Sequence, residues 1–206
     1  MLEVTKVHKE LGGNSSAFVP LNAIDSDESA PPYELCPSPK AYARGLREVY
    51  HSGLWPAEKL FPFSEYLGRL KPGFQHNWGC GAPWGNTPTV TAAGKMFSCI
   101  YLVGIKKFEV GDIFAGDFPR REVLDMMLAA TDIANIALCR SCTLRHLCGG
   151  GCPVGRFTIA GNPKVPARIK KYTRDIACVT SKTVIEELVW TLAKQKRGEY
   201  EAQKNQ

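Results

Sequence analysis

The sequence predicts an α+β protein built around a cysteine-rich loop, on three observations. Residues 87–101 alternate around a glycine as a β-hairpin does. Apolar residues recur at helical spacing within residues 39–53, 120–130 and 184–194. Four cysteines crowd into residues 139–152. A small hairpin, cysteine-rich loops and helices would then surround the sites those thiols make, with a strand–helix segment in front of them.

In chain order, Ser16-Ala17-Phe18-Val19-Pro20-Leu21 reads as a short strand, followed by the polar loop Asp25-Ser26-Asp27-Glu28-Ser29. Pro31-Pro32 keeps that loop extended. Ser38-Pro39 is a helix start, serine as N-cap and proline at the first position. Tyr42, Leu46, Val49 and Tyr50 continue it at helical spacing, and Gly53 suits its end. Residues 1–53 thus hold one strand and one helix, half of a repeating unit, and do not begin like a complete domain.

Residues 54–79 form an aromatic-rich linker carrying Trp55, Phe61, Phe63, Tyr66, Phe74 and Trp78. A short helix from Phe63 to Leu70 fits there, its aromatics read as core packing rather than a groove. Thr89-Val90-Thr91, the turn Ala93-Gly94 and the run Met96-Phe97-Ser98-Cys99-Ile100 make the hairpin. Gly111-Asp112 breaks the chain before a helix from Arg120 to Ala130. Its Val123, Met126, Met127 and Ala130 share one face, and the methionines read as core. A short helical turn carries Leu144, His146 and Leu147, with His146 as a surface or hydrogen-bonding histidine. Val184, Leu188, Val189 and Leu192 mark a last amphipathic helix to Lys194. The polar residues 195–206 are expected to fray.

At 206 residues, with 44% hydrophobic and 22% charged side chains, the chain is one ordinary domain or one domain with part of another. No apolar segment approaches the roughly 18 residues that span a bilayer, so no membrane role is expected. The net charge of +6 does not point to nucleic acid, because the basic residues are not interleaved with stacking aromatics. Each of Arg140, Arg145, Arg156, Lys170, Lys171 and Arg174 reads first as part of a solvated basic face, and near bound thiolates they would partly offset an anionic centre.

The cysteines carry the chemistry. Cys139, Cys142, Cys148 and Cys152 stand as C-x2-C-x5-C-x3-C, followed at once by Pro153. The C-x2-C loop lets two thiols bind one metal centre, and Cys148 can reach it across a short turn. Gly149, Gly150 and Gly151 can take positive φ and let backbone N–H groups approach sulfur closely. A closing Cys-Pro, as in two-cluster ferredoxins, suggests that Cys152 serves a second centre. Upstream, Cys80 and Cys99 bracket Gly94 as C-x13-G-x4-C. Cys178 stands downstream, and Cys36, outside both patterns, reads as a buried inert thiol.

These seven cysteines, in this order and spacing, resemble the SPASM domain, the auxiliary-cluster domain of radical SAM peptide and protein maturases. The likeness covers roughly residues 76–180. It implies two 4Fe–4S clusters: Cys80, Cys99 and Cys152 would hold the first, and Cys139, Cys142, Cys148 and Cys178 the second. The first then has only three thiolates, its fourth position open or taken by substrate, His76 or Cys36. The resemblance further implies electron transfer or substrate binding during modification of a peptide or protein. The strand–helix segment at 1–53 would be the end of a radical SAM (partial TIM-like) barrel. The implied layout is barrel remnant 1–53, linker 54–79, two-cluster domain 80–180, and C-terminal helix with polar tail 181–206.

The C-x3-C-x2-C motif that binds the S-adenosylmethionine cluster is absent: the only C-x3-C is Cys148 to Cys152, and Gly155 stands where its last cysteine would be. This polypeptide alone is therefore not expected to cleave S-adenosylmethionine. That cofactor would enter only through the rest of a barrel, in cis or in trans, and no catalytic residue is assigned.

Zinc is the alternative, since closed tetrahedral sites use the same C-x2-C loops and could recruit His146; the chain would then be a zinc-stabilised structural or interaction module. Two all-thiolate zinc sites would need all eight cysteines, the distant Cys36 included. An even cysteine count also admits disulfides. No apolar run with a cleavage site opens the chain, and clustered thiols without an export signal usually bind metal. A cytoplasmic location is expected.

Overall fold

The computed structural model describes residues 1–20, 35–71, 81–157 and 167–204, and they have a mixed α+β structure. They fall into two compact units: residues 1–20, 35–71 and 167–204 form the first, and 81–157 the second.

The first unit opens with α1 (Leu2–Glu10), an element the sequence reading did not expect. Strand β1 (Ser16–Ala17) pairs in parallel with β2 (Leu60–Phe61), and α2 (Pro39–His51) lies between them in sequence. Parallel neighbours need such a crossover, so the expected strand and helix belong to a β–α–β arrangement. Helix α2 begins as its sequence dictates: the Ser38 side chain accepts from the Ala41 N–H at 3.2 Å, with Pro39 at the first position. It buries Tyr42, Ala43, Leu46 and Val49. Helix α3 (Phe63–Arg69) follows and buries Phe63 and Tyr66. The Phe63 ring stacks on Tyr50, centroids 4.4 Å apart, and Trp55 is buried as well, so these aromatics are core, whereas Phe61 is exposed and Phe74 and Trp78 lie outside the described residues.

Helix α6 runs from Ala167 to Lys204, 38 residues. It differs from the expected frayed tail: the backbone stays helical through the polar residues, where the Arg197–Glu201 pair at 2.8 Å spans one turn. Its buried face is Tyr172, Ile176, Thr180, Ser181, Thr183, Val184, Ile185 and Leu188, whereas Val189 and Leu192 are exposed. Several polar contacts fasten α6 to the unit. Tyr66 and Ser181 share a buried hydroxyl–hydroxyl bond of 2.7 Å, Arg47 pairs with Glu187 at 2.7 Å, and the Tyr50 hydroxyl donates to Thr191 at 3.0 Å. The Tyr42 hydroxyl donates to the Phe18 carbonyl, and burial pushes its pKa upward.

In the second unit the expected hairpin is present as β3 (Thr89–Val90) and β4 (Lys95–Phe97), antiparallel, with Gly94 at φ +79° in the turn. A third strand, β5 (Glu109–Asp112), joins the far side of β4. The Gly111-Asp112 dipeptide that reads as a break is thus inside a strand. Lys95 reaches Asp112 at 2.9 Å across the pair, and this hydrogen bond holds the Asp112 carboxyl below its ordinary range. Helix α4 (Arg121–Thr131) buries Leu124, Met127 and Thr131. Met127 is core as expected; Met126 is 41% exposed, because the buried stripe runs one position off the expected face.

Candidate metal centre

The hairpin positions Cys99. Strand β4 ends at Phe97, Ser98 is fully buried with its hydroxyl donating to the Met127 sulfur at 3.1 Å, and Cys99 follows in extended conformation. The chain then closes a 3-10 turn over Ile100–Leu102, which drives Leu102 into the core. Leu102 belongs to a cluster with Ala82, Phe108, Met127 and Val154, and Cys99, Ile105, Val123 and Phe157 pack against it.

That membership gathers three distant stretches of chain. Ala82 stands two residues after Cys80, Cys99 is itself in contact, and Val154 stands two residues after Cys152. Cys99 and the residues two positions beyond Cys80 and Cys152 therefore share one hydrophobic centre. Cys80 itself, like His76, lies outside the described residues. Cys99 is half-buried and Cys152 exposed.

The cysteine-rich loop is a chain of tight turns. Asp132 caps the turn at Ile133–Asn135 by accepting from the Ala134 N–H at 2.9 Å. The amide of Cys139 donates to Ile136, that of Cys142 to Cys139 at 3.1 Å, and that of Arg145 to Cys142 at 3.2 Å. Helix α5 (Arg145–Cys148) follows, with Cys148 N–H on Leu144 O and Gly149 N–H on Arg145 O, both at 2.8 Å. Cys139, Cys142 and Cys148 are half-buried.

Gly149, Gly150 and Gly151 have φ of +70°, +80° and +70°, the left-handed conformation expected for close approach of backbone to sulfur. Three consecutive residues of this kind fold the chain sharply between Cys148 and Cys152. A side chain at Gly150 would collide with Ile136, whose Cδ1 would stand 2.8 Å from the new Cβ.

The loop arginines turn to backbone carbonyls. Arg140 Nε donates to Ala134 O at 3.1 Å, Arg145 Nη1 to Arg140 O at 3.3 Å, and Arg156 Nη1 to Gly150 O at 2.7 Å. The sequence reading gave Arg156 only a charge role, as a basic side chain four residues beyond Cys152, and contained no signal of its bond to Gly150. His146 is exposed. Cys178 lies in the first unit, exposed on α6 with Lys171 and Arg174, and Lys170 is half-buried on the same helix. Lys171 and Arg174 both pair with Asp175, and Lys171, chiefly, holds that carboxyl below its ordinary range. Cys36 is half-buried rather than buried.

Among the described residues, no three cysteine, histidine or acidic side chains stand close enough together to hold a metal ion. The donors and the backbone nevertheless suit a thiolate-bound centre: soft sulfur ligands on one short loop, with a left-handed glycine turn where a cluster needs room. Short cysteine loops commonly complete their coordination set only when the metal binds, because binding and ordering are one equilibrium. No helix of the described residues is long and apolar enough to cross a membrane. Comparison with models of known families, with curated proteins and with solved structures finds no match.

Proposed function

We propose that this chain binds two 4Fe–4S clusters and serves as the auxiliary-cluster part of a radical SAM enzyme that modifies a peptide or protein. The observation that carries the reading is the hydrophobic cluster of the second unit, which collects Ala82, Cys99 and Val154 and so the chain neighbourhoods of Cys80, Cys99 and Cys152. Those three thiols would hold the first cluster. Cys139, Cys142 and Cys148 would hold the second, and Cys178 enters that set on the resemblance alone. Bound clusters of this type supply one-electron transfer, and an iron with an open position could take a substrate thiolate.

What the chain contributes is positioning. Leu102 and Val154 anchor the segments bearing Cys99 and Cys152, and the glycine turn gives a cluster access to backbone N–H groups. The parallel β1–α2–β2 arrangement supports reading the first unit as the end of a barrel whose other strands come from elsewhere, in cis or in trans. S-adenosylmethionine cleavage would reside there, and a cytoplasmic setting would keep the thiols reduced.

Electron paramagnetic resonance of the anaerobically reconstituted, reduced protein tests the assignment. Cys99→Ser should diminish one cluster signal and Cys148→Ser the other. Identical losses from both substitutions, or no loss from either, would overturn the division into two centres.

A further inference from the structure

We infer that Arg156 is a positioning residue for the cysteine loop, fixing the peptide between Gly150 and Gly151 so that its N–H is presented to a ligand sulfur. The inference rests on the cluster-binding reading above. Pro153 O accepts from the amides of Arg156 at 2.9 Å and Phe157 at 3.0 Å, so residues 153–157 form one compact turn. That turn is fastened to the core on both sides: Val154 is buried in the hydrophobic cluster, and Phe157 packs on it and meets the Phe108 ring at 5.1 Å. Arg156 therefore projects from an anchored base. Its Nη1 donates to the Gly150 carbonyl at 2.7 Å, a charge-assisted bond of short length.

A trans peptide is planar, and its C=O and N–H point in opposite directions. Pinning the Gly150 oxygen therefore also fixes where the Gly151 N–H points, which is away from the guanidinium. Glycine supplies no side chain of its own to hold it, and positive φ is open to both residues. The amides of Gly150 and Gly151 donate to no backbone carbonyl among the described residues, while that of Gly149 is used by Arg145 O. Successive N–H groups in such a turn form an anion-binding concavity of the kind found at iron–sulfur sites. Hydrogen bonds to cluster sulfur withdraw electron density and are one of the levers that set the reduction potential.

The test compares wild type with Arg156→Gln and Arg156→Lys by two readouts. In the apoprotein, amide hydrogen exchange at Gly151 should speed up about tenfold or more in Arg156→Gln, as expected when one charge-assisted bond is lost, with Arg156→Lys between. In the reconstituted protein, iron and sulfide content should hold while the midpoint potential of one cluster moves to a more negative value, partly restored by Arg156→Lys. A cluster-loaded Arg156→Gln with unchanged exchange and unchanged potential would overturn the inference and leave the cluster reading intact. A wild type that takes up no iron would overturn both.

Discussion

Replacing Gly150 with alanine should cost about 2–5 kcal/mol, and the structure divides that cost into two parts. Gly150 has φ +80°, and an L-residue held in the left-handed region loses roughly 1–2 kcal/mol. The new Cβ would also stand 2.8 Å from Ile136 Cδ1 and 3.6 Å from Ile133 Cγ2 and Arg156 Nη1. Relieving that crowding adds about 1–3 kcal/mol. Gly104 supplies the control. Its φ is +85° and nothing lies within 4 Å of a Cβ built there, so Gly104→Ala should show the conformational part alone. Urea denaturation of the apoprotein measures both. Truncating the colliding side chain with Ile136→Ala should recover part of the loss, so a double-mutant cycle between positions 136 and 150 should give a coupling of about 1 kcal/mol or more. If Gly150→Ala costs no more than Gly104→Ala, and the cycle shows no coupling, the glycine turn is not packed against Ile136 and the geometry of the cysteine loop is wrong.

In the first unit, Tyr66→Phe removes a buried hydroxyl and leaves Ser181 without its 2.7 Å partner, so the urea midpoint should fall by an amount equivalent to about 1–3 kcal/mol; a change under about 0.5 kcal/mol would show that α6 is not seated on α3 in this way. In the second unit, Lys95 holds Asp112, and Arg120 holds Asp117, below the ordinary carboxylate range. A depressed carboxyl stabilises the fold above its unfolded-state value and loses that contribution as pH falls through the folded one. The melting-temperature difference between wild type and Asp112→Asn should therefore narrow as the solution is acidified, and a difference independent of pH would contradict the assigned pairing.

Local signals were the legible ones. The Ser38-Pro39 start of α2 could be read because capping is decided within a few residues, and the β3–β4 turn because a glycine at positive φ announces it. The left-handed glycine run between Cys148 and Cys152 was readable for the same reason. Strand β5 was not, since Glu109-Val110-Gly111-Asp112 has the composition of a turn and becomes a strand only by pairing with β4. The buried face of α6 was only half legible: Val184 and Leu188 are buried as read and Val189 and Leu192 are not, while Thr180, Ser181 and Thr183, polar in sequence, are buried, with Ser181 satisfied by Tyr66 and Thr180 by Ile176 O. Its polar end gives no apolar stripe to follow, so its helicity was invisible to a periodicity argument. Type and spacing mark the thiols as candidate ligands. That Ala82, Cys99 and Val154 meet at one core is a tertiary fact that spacing does not contain.

The most direct test of the central claim is the iron, acid-labile sulfide and zinc content per chain after anaerobic reconstitution. About eight irons with matching sulfide, and little zinc, is the result expected for two 4Fe–4S clusters. Near-zero iron with one or two tightly held zinc ions would contradict it and make the chain a zinc-stabilised structural module.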